Sequence, residues 1–78
     1  LPTIDEVLNA LRNVYSIKAK NNIVDAGFIR DVSIDGDSVF VKMRPLSTCP
    51  FSFALAVNGE KEIKKLKGVK HAEIKMIL

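Results

Sequence analysis

A chain of 78 residues with 47% hydrophobic and 27% charged side chains reads as one small globular domain, residues 1–78, with no room for a second core. No apolar run approaches the ~20 residues of a membrane span, and Leu1–Val14 alternates apolar and polar residues at helical spacing instead of forming a signal peptide. The single cysteine cannot close an internal disulfide, so a reducing, cytoplasmic compartment is expected. The chain begins at Leu1 and not at methionine, so a few leading residues are expected to be missing.

Thr3 opens a T-x-x-E pattern with Glu6, the reciprocal capping box of a helix start. Ile4, Val7, Leu8, Leu11, Val14 and Tyr15 recur at three- and four-residue steps, which predicts a helix over about 4–15 with these residues on one stripe. Ser16–Asn22 lacks periodicity and reads as a loop. Phe28–Met43 reads as a hairpin, with strands at about 28–34 and 38–43 around Asp35-Gly36, a dipeptide suited to the positive φ of hairpin turns. Val32, Ile34, Val39, Val41 and Met43 are expected on its covered face. A second helix is expected over about 50–67, with Phe51, Ala54, Leu55, Ile63 and Leu66 inward and Gly68 as its stop. Gly59 within it costs roughly 1 kcal/mol against alanine, which points to a kink or break near Asn58-Gly59. His71–Leu78 alternates cleanly and reads as a last strand. The order is helix, strand, strand, helix, strand: an α+β fold with a three-stranded mixed sheet and two helices on one face.

The net charge of +3 is uneven, because six lysines (Lys61, Lys64, Lys65, Lys67, Lys70, Lys75) follow Gly59 against Glu60, Glu62 and Glu73. Clustered lysines suit phosphates or an acidic partner. Lysines near a helix C-terminus also complement its dipole and keep a surface solvated. That plainer reading is preferred over nucleic-acid binding.

The lone cysteine sits in "PLSTCPFSFAL" (Pro45–Leu55). Proline is favoured at the first helical position, where its missing N–H would have had no partner anyway. Pro50 therefore predicts Cys49 at or beside the N-cap of the second helix, with the hydroxyls of Ser47 and Thr48 just upstream. A helix N-terminus carries about half a positive charge, which favours the thiolate, the form that binds metal or clusters. The competing reading is a small buried hydrophobe.

Several stretches together resemble one family. They are "VLNALRNVYSIKAKNNIVDAGFIRDVSIDGDSVFVKM", then "CPFSFALA", then "LKGVKHAEIKMIL". The chain is similar to the iron–sulfur cluster assembly domain family, which includes the SufT-like and PaaD-like proteins and is also called the metal–sulfur cluster biosynthetic domain. The matches are Val7, Leu8, Leu11 and Val14; Asn22, Ile23, Val24, Asp25, Gly27, Phe28 and Ile29; the hairpin from Ile34 to Val41; Cys49-Pro50; and Gly68-Val69. N-I-V-D-x-G plus C-P at this spacing is the specific part. The resemblance implies the fold already read and a non-catalytic role, not an enzyme's: assembling, carrying or delivering iron–sulfur clusters. It implies Cys49 as the candidate iron or cluster ligand, with Ser47, Thr48, Pro50 and Asp25 as the supporting loop. Two departures mark a divergent member. Ser16-Ile17-Lys18 stands where the family reads D-P-E, and Thr48 stands where glycine or alanine commonly precedes the cysteine.

Clusters typically take four protein ligands, and this chain has one thiol. Any cluster or iron is therefore expected to be transient and shared with the assembly machinery, an apo client protein or a second copy. Cys49 and His71 are separated by a helix whose ends lie roughly 25 Å apart, so they are not a pair. Asp25 reads first as a turn residue bonded to nearby backbone, and Asp31, Asp35 and Asp37 are too loosely arranged for a calcium loop. Ile29, Phe40 and Ile77 are placed on the uncovered sheet face, where they offer a seat for a homodimer partner. The alternative functions are a protein-interaction domain of the same fold without cluster binding and a KH-like RNA-binding module. The second lacks the G-x-x-G loop such modules use.

Overall fold

The capping box forms as the sequence predicts. In the computed structural model the Glu6 N–H donates to Thr3 Oγ1 (3.2 Å) and the Thr3 N–H donates to Glu6 Oε1 (3.0 Å), starting helix α1, Ile4–Leu11. The structure describes residues 2–44 and 50–77, with residues 50 and 51 described by backbone alone. Helix α1 is shorter than the predicted 4–15. Arg12 caps it, and the carbonyl of Val14 accepts the Ile23 N–H (3.0 Å) while Tyr15 faces Asn22 in a two-residue ladder. That ladder joins β1 (Tyr15–Ser16) to β2 (Asn21–Asn22), so the expected loop closes on itself. Pairing across the loop takes the backbone groups that another helical turn would have used. Val7 and Leu11 are buried, whereas Ile4 and Tyr15, expected inward, are exposed.

Strands β3 (Ile29–Asp35) and β4 (Ser38–Met43) form the expected antiparallel hairpin, and β5 (His71–Met76) adds parallel to β4, giving the sheet order β3-β4-β5. The register sets Val32 opposite Val41 and Ile34 opposite Val39, so one face carries the apolar set and the other carries Asp31, Ser33, Phe40, Lys42, Glu73 and Lys75. A bulge between Ile29 and Asp31 moves Ile29 opposite Met43, onto the covered face. Ile29 thus packs against the core and does not belong to the open face where the alternation had placed it. Phe40 does lie on that face, its ring 5.9 Å from that of the exposed His71.

Helix α2 (Pro50–Lys64) runs unbroken through Gly59. Its inward residues are Ser52, Ala56, Gly59 and Ile63, with Leu55 partly buried. It ends at Lys64, short of the expected 67, so the partly buried Leu66 lies in the turn beyond it. Ala54 is exposed, and the Phe51 side chain is outside the described residues. A Cβ on Gly59 would stand 2.5 Å from Ile74 Cδ1, so glycine is there for close approach of helix to sheet. That contact is why the helix passes through a residue that local propensity reads as a break. Both helices meet the sheet on one face, in a core built from Val7, Leu11, Ile23, Val39, Val41, Met43, Ile63 and Ile74 among others. Among the described residues no helix is long and apolar enough to cross a membrane.

Candidate functional site

Cys49, Ser47 and Thr48 lie outside the described residues. What the structure supplies is the element that follows them. Helix α2 begins at Pro50 and runs for 15 residues, with no acidic side chain in its first turn. Its free N–H groups and macrodipole are therefore not offset by a carboxylate of its own.

The N-I-V-D-x-G stretch resolves into a built turn. Asn22 Oδ1 accepts the N–H groups of Val24 (3.0 Å) and Asp25 (2.9 Å), and its amide Nδ2 donates to Asp25 Oδ2 (2.9 Å). The other Asp25 oxygen, Oδ1, stands 3.6 Å from Arg12 Nε at the end of α1. Ile23 is fully buried between them, and Gly27 takes φ +82°, which lets the chain turn into β3. Asn22 thus holds the backbone while Asp25 orients Asn22 and ties the turn to α1. Asp25 is half exposed, and both of its oxygens have partners within the fold.

The positions that replace D-P-E divide in the same way. Ser16 is buried, and its Oγ accepts the Ala19 N–H (3.3 Å), closing the β1–β2 turn. Ile17 at the tip of that turn is 82% exposed. No group of three or more histidine, cysteine, aspartate or glutamate side chains among the described residues is placed to hold a metal ion.

The matched motifs run through every element of this fold, and a family model for "iron-sulfur cluster assembly protein" matches residues 4–76. The chain belongs to this iron–sulfur cluster assembly family. It is 39% identical over 75 residues to an uncharacterized protein of Methanocaldococcus jannaschii, covering 92% of this chain and 78% of that one. It is 35% identical over 75 residues to an iron–sulfur cluster carrier protein of Synechocystis, covering 95% of this chain but only 21% of the relative. It is also similar to a solved structure of a conserved hypothetical protein from Thermotoga maritima, with a TM-score of 0.87, 32% identity, and coverage of 99% of this chain and 78% of that one. The family's α+β order is thus present, with the small β1–β2 ladder added to the elements read from the sequence.

Sequence reasoning missed one feature. The segment that leads from α1 into β1 and the last turns of α2 form a groove of about 380 Å³, to which Asn13, Tyr15, Asn58 and Lys61 contribute. The sequence places Asn58 at a helix break and Tyr15 on the inward stripe of α1. Only the continuity of α2 through Gly59 and the early end of α1 bring them together.

Proposed function

We propose that this chain is a non-catalytic iron–sulfur cluster assembly or carrier domain in which Cys49 is the ligand and the cluster is cargo. The observation that carries this reading is the family match over residues 4–76, and the resemblance of Cys49-Pro50 to the family's C-P loop motif supports it. A 15-residue helix starts on the residue after the thiol, and that supports thiolate character at Cys49. The remaining ligands come from outside, because one thiol does not fill the four positions a cluster takes. The partners are then the assembly machinery, an apo client or a second copy of the chain, and the compartment is the reducing cytoplasm. Ser47, Thr48 and Pro50, its neighbours in sequence, are the supporting residues in this reading, and the Asn22–Asp25 turn braces the fold.

Anaerobic reconstitution with ferrous iron and sulfide, read by absorbance and native mass, tests this reading. The wild-type chain retains iron or cluster, and Cys49→Ser loses it while keeping its thermal midpoint, because serine suits a helix N-cap. Iodoacetamide alkylates Cys49 in the folded protein. A thiol that reacts only on unfolding, with a serine variant several kcal/mol less stable, makes Cys49 core filler. What then stands is the second reading, an interaction domain of the same fold. The loss of both D-P-E carboxylates to Ser16 and Lys18 favours that reading.

A further inference from the structure

Beyond the cargo reading, and independent of it, we infer that the groove between residues 13–15 and the last turns of α2 docks an acidic segment of a partner protein, one that carries an apolar side chain beside its carboxylates. Lys61 has no carboxylate partner among the described residues, and the side chains of Asn13, Asn58 and Tyr15 make no hydrogen bond there. Two amides, a phenol and an ammonium therefore border a half-open surface groove of about 380 Å³. These are donors suited to a carboxylate. The one acid in the groove, Glu62, is already engaged by Lys65 at 3.2 Å. Lys64 and Lys67 follow on the same stretch, and Glu60 points away to the sheet, where it accepts the Ile74 N–H at 3.3 Å. The lysines outnumber both the remaining acid and the partial negative charge of the α2 C-terminus, so the field at the groove is positive.

The apolar half lies beside it. Phe53 and Val57 are 62% and 50% exposed, and with Lys61 they recur at four-residue steps along one side of α2, about 6 Å apart. Across from them Tyr15, which lines the groove, is 59% exposed. Tyr15, Phe53 and Val57 are three of the six large hydrophobics exposed among the described residues, and they lie on the two segments that wall the groove. Such a surface matches a segment that sets an apolar side chain against Phe53 and Val57 and a carboxylate on Lys61. A nucleic-acid backbone fits it worse, since phosphates need a row of cations and here Glu62 interrupts the row.

The test uses metal-free, isotopically labelled protein titrated with a short synthetic peptide of leucine and paired glutamates. The same peptide with lysine for glutamate and a polyuridine strand serve as controls. Amide shifts are expected at Tyr15, Asn58 and Lys61, with binding that weakens as salt rises. Lys61→Glu lowers affinity about tenfold and Phe53→Ser about fivefold, both with unchanged thermal midpoints, since exposed ion pairs and side chains carry effects of this order. Cys49→Ser binds as the wild type does, which separates this surface from cluster binding. The inference is overturned by no binding at millimolar peptide, by shifts confined to another face, by affinity indifferent to Lys61→Glu, or by polyuridine binding more tightly than the peptide.

Discussion

A single missing methyl group sets the distance between α2 and the sheet. At Gly59 a Cβ would stand 2.5 Å from Ile74 Cδ1 and 3.1 Å from Leu11 Cδ2, and both of those residues are buried. Two effects oppose each other in Gly59→Ala. Alanine gains about 1 kcal/mol of helix propensity, while forcing a methyl group into a packed core costs about 1–3 kcal/mol. The packing cost is the larger, so Gly59→Ala is expected to destabilise the fold by about 1 kcal/mol in denaturant titration. Ile74→Val removes the atom that clashes. In that background the same alanine is expected to be neutral or mildly stabilising, and the cycle of the two substitutions reports a coupling of about 1 kcal/mol. Additive effects would show that the helix shifts freely and that the close approach is not a constraint.

Among the elements, the turn from β2 into β3 has the most to do for its length. Backbone bonds from Ala26 to Asn22, Gly27 to Val24 and Phe28 to Ile23 close it, and the Asn22 side chain satisfies two more backbone N–H groups while Asp25 steadies it. Asn22→Ala leaves those donors to solvent and loosens the seat of Ile23, and a loss of about 1–2 kcal/mol is expected in thermal unfolding. Asn22→Asp keeps the acceptor but sets a carboxylate against Asp25, so it recovers only part of that loss. Equal stability of all three chains would reduce the turn to a passive link. This motif was legible as a signature but not as a device, because sequence spacing does not show which side chain caps which amide. The strands were legible for the opposite reason: alternation in 28–43 and 71–76 is decided by burial of one face, which the residues themselves encode. Helix α1 was overextended because Val14 fits the helical stripe, and a tertiary contact, its carbonyl on the Ile23 N–H, took it elsewhere. The bulge that carries Ile29 to the covered face is likewise invisible in a pattern of period two.

In the molecule as a whole, the mixed sheet ends at β3 on one side and β5 on the other among the described residues, and the parallel strand β5 has β4 alone as its described neighbour. An unpaired strand edge is a template for another chain. Glu60 answers this from outside the sheet: it reaches from α2 and accepts the Ile74 N–H at 3.3 Å, at the middle of β5. Nothing in the α2 sequence distinguishes Glu60 from its solvated neighbour Lys61, since only the depth of the helix over the sheet brings the carboxylate to that amide. The same packing sets Asn58 and Lys61 beside Asn13 and Tyr15, so one helix position guards the edge while the next borders the groove. Glu60→Ala is expected to free the Ile74 amide, raising its hydrogen-exchange rate by more than the global loss of stability, itself about 1 kcal/mol for one long charge-assisted bond. Self-association measured by sedimentation should rise with concentration in this variant and not in Glu60→Gln, whose amide oxygen still accepts the bond. An Ile74 amide that exchanges alike in all three proteins would mean that β5 is protected by packing alone and that its edge needs no guard.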